Sequence, residues 1–315
     1  MLISYQILGG VKITEIIDEI NKLKKEKNAI ILAHNYQPKE IQELADFVGD
    51  SLELCIKASN VKDADIIVFC GVNFMAETAA IISPDKKVLL PDNRANCQMA
   101  DMVSLEELKQ TKADNPNLEV VLYVNSRAET KSEADIVCTS ANAKKVAESL
   151  EGDKFIFAPD YNLGTYSARL SNKKALIVPE DGHCYVHTMF KEDDILKARE
   201  DYPDAKIVVH PECDEKVCNL ADYVESTGGM VRLAKDPEIK QLIVGTEIDL
   251  ATRLKRENPD KEFIPLRKDA FCLTMKLITP EKVLASLKEE KHVVQVDDKI
   301  ASKARIAIER MLELS

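Results

Sequence analysis

The sequence predicts an α/β protein built from three homologous parallel-sheet αβα domains around a pseudo-threefold axis. Three observations carry that reading. Short continuous apolar runs alternate with amphipathic stretches, the pattern of strands buried on both faces of a parallel sheet and joined by helices. Landmarks along the chain recur with a period of 87 to 89 residues, the signature of a repeated structural unit. The length of 315 residues is about twice that of a ~150-residue domain, room for two or three compact units.

The first strand of each copy reads Ala29-Ile30-Ile31-Leu32-Ala33-His34, Val120-Val121-Leu122-Tyr123 and Ile207-Val208-Val209-His210. His34, Tyr123 and His210 fall in register, 89 and 87 residues apart. The second landmark is Ala45-Asp46-Phe47-Val48-Gly49-Asp50-Ser51, repeated as Ala134-Asp135-Ile136-Val137-Cys138-Thr139-Ser140 and as Ala221-Asp222-Tyr223-Val224-Glu225-Ser226-Thr227. Third strands follow at 66–70, 155–158 and 242–245, and fourth strands at 88–90, 176–178 and 263–266. Helical patterns lie between them, for instance at 39–44, 52–59 and 74–82. Helices at 13–25 and 280–289 and a last segment at 293–314 flank the copies. The resulting division is 1–112, 113–200 and 201–279 for the three repeats, with 280–315 as a helical segment packing back on the body. No Gly-, Pro- or Ser-rich linker separates the copies, so tight packing between them is expected.

Composition narrows the function. Apolar residues make up 45% of the chain and charged residues 31%, as in a soluble globular protein with a real core. A net charge of −11 argues against nucleic acid or an anionic membrane as the main partner. No apolar run approaches the ~20 residues of a membrane span. The stretch from Met1 to Thr14 lacks the charge and hydrophobicity pattern of a secretory signal, and a cytoplasmic location is expected. Eight cysteines without a Cys-x-x-Cys pair do not suggest a disulfide scaffold in that compartment.

Three of the cysteines follow the repeat. Cys97, Cys184 and Cys272 each sit in the loop after a fourth strand, 87 and 88 residues apart. Three related domains around one axis would bring these thiols to one point. A cubane iron–sulfur cluster is threefold about its body diagonal, so three thiolates can bind three irons and leave the fourth open as a Lewis acid. The competing readings are buried cysteine acting as a small hydrophobe, which suits Cys55, Cys70 and Cys138, and a zinc site using Cys184 and His187 in a Cys-x-x-His spacing.

Polar residues stand where the strands end, the usual place for ligands in open α/β sheets. The first-strand ends read His34-Asn35-Tyr36, Tyr123-Val124-Asn125 and His210-Pro211-Glu212. The second-strand ends read Asp50-Ser51, Thr139-Ser140 and Ser226-Thr227, hydroxyl-bearing N-caps that also offer hydrogen bonds to an anion. Glu212 has the chemistry of a general base if a partly dry cleft tunes it toward neutral pH, and His187 can orient a ligand. His292 lies outside the pattern and reads as a surface residue.

His34-Asn35-Tyr36-Gln37, Gly71-Val72-Asn73-Phe74-Met75-Ala76-Glu77-Thr78, Tyr123-Val124-Asn125-Ser126, Gly182-His183-Cys184-Tyr185-Val186-His187 and His210-Pro211-Glu212-Cys213 resemble the motifs of the quinolinate synthase A family. The resemblance runs from about residue 11 to the C-terminus. It implies three α/β domains around a pseudo-threefold axis and a [4Fe-4S] cluster held by Cys97, Cys184 and Cys272. It also implies condensation of iminoaspartate with dihydroxyacetone phosphate to quinolinate, phosphate and water in NAD biosynthesis, with iminoaspartate supplied by an aspartate oxidase or aspartate dehydrogenase. The matching substrate-binding positions are His34, Ser51, Tyr123, Asn125, Ser140, His210, Glu212 and Thr227. Tyr36 and Glu212, with His34 and His210 beside them, match the proton-transfer positions. Two departures stand out: Asn96 occupies a position usually held by glycine, and no further cysteine lies close to Cys272, so no disulfide switch is expected there. A non-catalytic iron–sulfur sensor and a zinc-dependent hydrolase using His34, His187, His210 and Cys184 are the rival readings.

Overall fold

A computed structural model describes residues 7–8 and 11–315 of the chain. The reading that the first residues carry no export signal falls largely on positions outside the described ones. Strands β1 (Ile7–Leu8) and β2 (Val11–Lys12) pair antiparallel ahead of the helix Ile13–Glu26.

Three four-stranded parallel sheets follow. The first contains β3 (Ala29–His34), β4 (Phe47–Gly49), β5 (Ile66–Cys70) and β6 (Lys87–Leu89), in the order β4-β3-β5-β6. The second contains β7 (Val120–Tyr123), β8 (Ile136–Cys138), β9 (Lys154–Ala158) and β10 (Lys174–Ile177), in the order β10-β9-β7-β8. The third contains β11 (Lys206–Val209), β12 (Tyr223–Val224), β13 (Gln241–Gly245) and β14 (Glu262–Pro265), in the order β12-β11-β13-β14. All three share one topology, and helices join their parallel strands, so the sheets are three copies of one αβα unit.

The repeated aspartate explains why the second landmark recurs. Asp46, Asp135 and Asp222 accept from the amides of Ile31, Val120 and Ile207 at 2.7, 2.7 and 2.8 Å. Their own amides donate back to the carbonyls of the same three residues at 2.9, 3.0 and 2.9 Å. Each pair fastens the loop before a second strand to the first strand, and so fixes the register of the whole unit.

The core runs through the sheets. Ile31, Leu32, Val121, Leu122, Ile207 and Val208 are fully buried, as central strands covered on both faces must be. One continuous apolar cluster joins the first and second units, while the third has clusters of its own. Helix Pro280–Glu289 packs on Ile13–Glu26, and helix Asp298–Glu313 lies against β8 and the helices Ala128–Lys131 and Asn73–Ile82. Among the described residues no helix is long and apolar enough to cross a membrane.

Two details differ from the sequence reading. The segment expected as helix from 293 onward starts only at Asp298, because Val293 bridges the edge residue Leu89 and Val294 donates to Val88. His292, read as a surface residue, is half-buried, in a left-handed backbone conformation, and its carbonyl accepts from Leu90.

Candidate active site

The carboxyl ends of the three sheets face one cavity of about 70 Å³. From the first-strand ends come His34 and Tyr36, Tyr123 and Asn125, and His210 and Glu212. From the second-strand ends come Ser51, Ser140 and Thr227, and from the fourth-strand loops Cys97, Cys184 and Cys272. The structure thus brings to one wall every residue that the sequence singled out for binding, proton transfer or metal ligation. His187, Asp50, Thr274 and the apolar side chains of Val72, Phe74, Met75, Val186 and Met275 complete it.

The hydroxyls are free to face the cavity because capping falls largely on their neighbours. Asp50, not Ser51, caps the helix Ser51–Ser59, accepting from Glu53 at 2.9 Å in a reciprocal capping box. Ser226, not Thr227, caps Thr227–Leu233 through the amide of Gly229 at 3.1 Å. In the second unit the helix begins later, at Ala143, after a turn in which Thr139 donates to Asn142. An N-cap side chain folds back on the first turn, so the residue after it points outward.

A hydrogen-bond chain crosses the cavity floor. Tyr123 donates to Glu212 Oε1 at 2.5 Å, and His187 Nδ1 lies 2.5 Å from Glu212 Oε2. The Thr246 hydroxyl stands 2.8 Å from His187 Nε2 and 2.6 Å from the Tyr36 hydroxyl. Tyr36 can donate to Thr246 and Thr246 to His187 Nε2, while His187 Nδ1 lies against the Glu212 carboxylate without completing a hydrogen bond. His210 stacks on His187 with ring centroids 4.3 Å apart and reaches Ser140 at 3.2 Å.

Electrostatics sets the protonation states. Burial opposes the Glu212 charge, but His187, His210 and the Tyr123 hydroxyl outweigh it and hold the carboxyl below its ordinary range. The tuning toward neutral pH expected for this base is therefore not what the site provides, because the carboxylate lies against His187 and His210 and accepts from Tyr123. Burial, aided by Lys276, lowers His34 to about 3, and burial with His187 lowers His210 to about 3, so both are neutral near pH 7. Burial and the Glu212 charge raise both Tyr36 and Tyr123.

The cysteine loops are held alike. The amides of Asn73, Tyr161 and Ile248, each opening the helix after a third strand, donate to the carbonyls of Ala95, Gly182 and Ala270 at 2.7, 2.8 and 2.9 Å. Each acceptor stands two residues before a cavity cysteine. Burial pushes the Cys97 thiol up to about 12, with Cys272 and Glu212 adding to it. Burial and the charges of Glu212, Cys97 and Cys272 likewise raise Cys184. Three sulfurs from three units on one apolar wall suit a thiophilic metal centre, which would bind them as thiolates. Among the described residues no fourth cysteine lines the cavity, so such a centre would keep an open coordination position. Cys184, His187 and Glu212 also place ligand atoms within 4.8 Å of one another. His187 Nε2, however, already meets the Thr246 hydroxyl.

Comparison with known proteins agrees with this arrangement. Residues 18–313 match the family model described as Quinolinate synthetase A protein. The chain belongs to that family. The quinolinate synthase of Methanothermobacter thermautotrophicus is 54% identical over 297 residues, which is 94% of this chain and 97% of that protein. Those of Thermococcus onnurineus and Dehalococcoides mccartyi are 53% and 54% identical, covering 97% and 96% of this chain and 100% and 99% of their own lengths.

Within this member of the quinolinate synthetase A family, some site features escaped the sequence reading. Thr246 carried no local signal, since a threonine after an apolar run is ordinary. Met75, Met275 and Thr274 flank the expected residues but look like core or loop residues in isolation. Cys213 and Cys218 are buried, and their thiols face the carbonyls of Gly245 and Cys213, outside the cavity.

Proposed function

We propose that the chain is a transferase that condenses iminoaspartate with dihydroxyacetone phosphate to give quinolinate, phosphate and water, with a [4Fe-4S] cluster on Cys97, Cys184 and Cys272. The observation that carries this reading is the convergence of three equivalent cysteines, three hydroxyls and the first-strand polar residues of all three repeats on one cavity. Iminoaspartate would come from an aspartate oxidase or aspartate dehydrogenase, and the expected setting is the cytoplasm. The same reading divides the chain into repeats at 1–112, 113–200 and 201–279, with the helical segment 280–315.

When bound, the cluster supplies a Lewis-acidic iron that stabilises negative charge or a departing hydroxyl. The protein supplies the rest. Ser51, Ser140, Thr227 and the Asn125 carbonyl, which is buried without a partner, orient two small polar substrates against each other. Neutral His34 and His210 donate or accept hydrogen bonds without drawing in extra water. The pair of Glu212 and His187 acts as one proton-handling unit: the carboxylate fixes the imidazole tautomer and leaves Nε2 as the acceptor. Thr246 links that nitrogen to Tyr36, so a proton leaving a substrate carbon at Tyr36 has a connected path to His187.

The test is anaerobic purification with reconstitution, followed by analysis of metal and acid-labile sulfide and an assay for quinolinate from both substrates. Iron with sulfide, lost in each of Cys97→Ala, Cys184→Ala and Cys272→Ala together with activity, is the expected result. Zinc without sulfide would instead support the grouping of Cys184, His187 and Glu212, and an intact cluster in any cysteine variant would remove that residue from the ligand set.

A further inference from the structure

The three cysteine loops share a backbone anchor, but they do not share a second one. The N-cap position of the helix after each third strand, two residues beyond the strand's end, is held by Val72 in the first repeat, Asp160 in the second and Glu247 in the third. Asp160 and Glu247 are completely buried. The second of them does two things at once. Glu247 caps its helix through Oε2, accepting from Asp249 at 2.9 Å, while Oε1 accepts from the amide of Cys272 at 3.2 Å. Asp160 caps its helix through Oδ1, accepting from Leu163 at 2.6 Å. Its Oδ2 completes no hydrogen bond, and burial with the Glu212 charge raises this carboxyl well above its ordinary range. Lys276, 2.6 Å from Glu247 Oε1, balances the charge in the third repeat and ties it to the Tyr36 carbonyl at 2.6 Å. Val72 has no such group, so Cys97 depends on the backbone anchor alone.

We propose that Glu247 is a positioning residue that holds the loop of Cys272 by the cysteine's own amide. A buried carboxylate is costly to place, and a helix needs only a serine or threonine as a cap. The second acceptor oxygen, turned to the amide of a proposed metal ligand, accounts for a full carboxylate in the third repeat. The inference rests on the reading that these cysteines are ligands only for its purpose; the geometry itself is in the metal-free chain.

The test uses the folded, metal-free full chain under anaerobic conditions, with iodoacetamide and mass-spectrometric quantification of each cysteine. Glu247→Ala is expected to speed alkylation of Cys272 by about tenfold, the factor associated with losing one hydrogen bond to a charged group. Cys97 and Cys184 should stay near their parental rates. Glu247→Gln, which keeps an acceptor oxygen, should restore most of the protection of Cys272. Should Glu247→Ala not fold, Glu247→Asp carries the same expectation, because its shorter arm withdraws the oxygen while keeping the charge. A purely structural cap would raise all three rates together or none, and either result overturns the proposal. Metal and sulfide analysis of the parent chain tests the ligand reading separately, so the two can fail independently.

Discussion

Gly182→Ala is the sharpest test of how the second cysteine loop is built. Gly182 is buried two residues before Cys184, and its carbonyl accepts from the amide of Tyr161 at 2.8 Å. A Cβ added there would sit 1.8 Å from the carbonyl oxygen of Pro159, a backbone atom with no rotamer to escape into. An ordinary carbon–oxygen contact is about 3.3 Å, so loop and strand end must separate by roughly 1.5 Å. The equivalent residues, Ala95 and Ala270, carry a Cβ and are fully buried without such a clash, so the requirement belongs to this loop alone. Overpacking of this kind costs about 1–3 kcal/mol, enough to lower the melting temperature by several degrees. Displacement of Cys184 by even ~1 Å would disable a geometry-dependent site. The assay pairs thermal melting with iron and sulfide per chain after anaerobic reconstitution, and Gly152→Ala, whose Cβ would meet nothing closer than 3.5 Å, is the control. Melting within about a degree of the parent, with full iron content, would refute the reasoning.

Two further outcomes follow from buried charge. Glu212→Gln should keep iron and sulfide but lower turnover by ~10²–10⁴-fold, the usual worth of a general acid–base group; near-parental turnover would move proton transfer elsewhere. Lys131 is completely buried beneath the Asn125 loop, donating to the carbonyl of Ser126. Burial lowers it from 10.5 to about 8, against the opposing pull of Glu77. Because its folded-state value is depressed, the folded chain carries the cost of the buried ammonium below pH 8 and sheds it between pH 8 and 10.5, where the unfolded chain still holds the proton. At about 1.4 kcal/mol per tenfold, that is about 3 kcal/mol. The stability of Lys131→Met relative to the parent should therefore fall by about that amount over this range, measured by denaturant unfolding; a pH-independent difference would contradict it.

The repeat was legible because its determinants are local. Asp46, Asp135 and Asp222 sit fifteen residues from the amides they bind, within one unit, so the same spacing appears three times in the chain. The strands and most helices are legible for the same reason, with ends that differ by a residue or two. The convergence of the cysteines could be inferred only because threefold repetition converts equal spacing into a common point. What repetition could not supply is contact between unlike positions. The bond from Thr246 to Tyr36 joins residues 210 apart, and that from Tyr123 to Glu212 joins residues 89 apart. The effect on Glu212 of its neighbours His187, His210 and Tyr123, which together keep it ionised, was invisible for the same reason. Asp160 and Glu247 could have been found: aligning Val72, Asp160 and Glu247 by the period shows acid at two of three equivalent positions. Val293 was misassigned because an apolar residue before an amphipathic helix reads as its first turn, whereas Leu89 at the sheet edge offers it a strand partner.

The charge of the cavity leads to a prediction that opposes the usual one for an enzyme of anionic substrates. Among the described residues the wall carries two acidic side chains, Asp50 and Glu212, and no lysine or arginine. Its histidines 34 and 210 are held neutral. Lys276 and Arg253 lie behind the wall, the first paired with Glu247 and Asp249 and the second with Glu257. On the proposed reaction the chain's own residues would therefore meet anionic substrates with hydroxyls, imidazoles and amides, interactions that salt screens little at contact distance. At longer range they approach a chain of net charge −11, and that repulsion is screened as the Debye length falls from about 10 Å at 0.1 M toward a few ångströms. Between low and moderate ionic strength kcat/KM for dihydroxyacetone phosphate should stay level or rise, by less than about tenfold. A several-fold fall would mean that a cation enters the site on binding, with Lys276 or Arg253 leaving its carboxylate partner, and substitution of each by methionine would show which one.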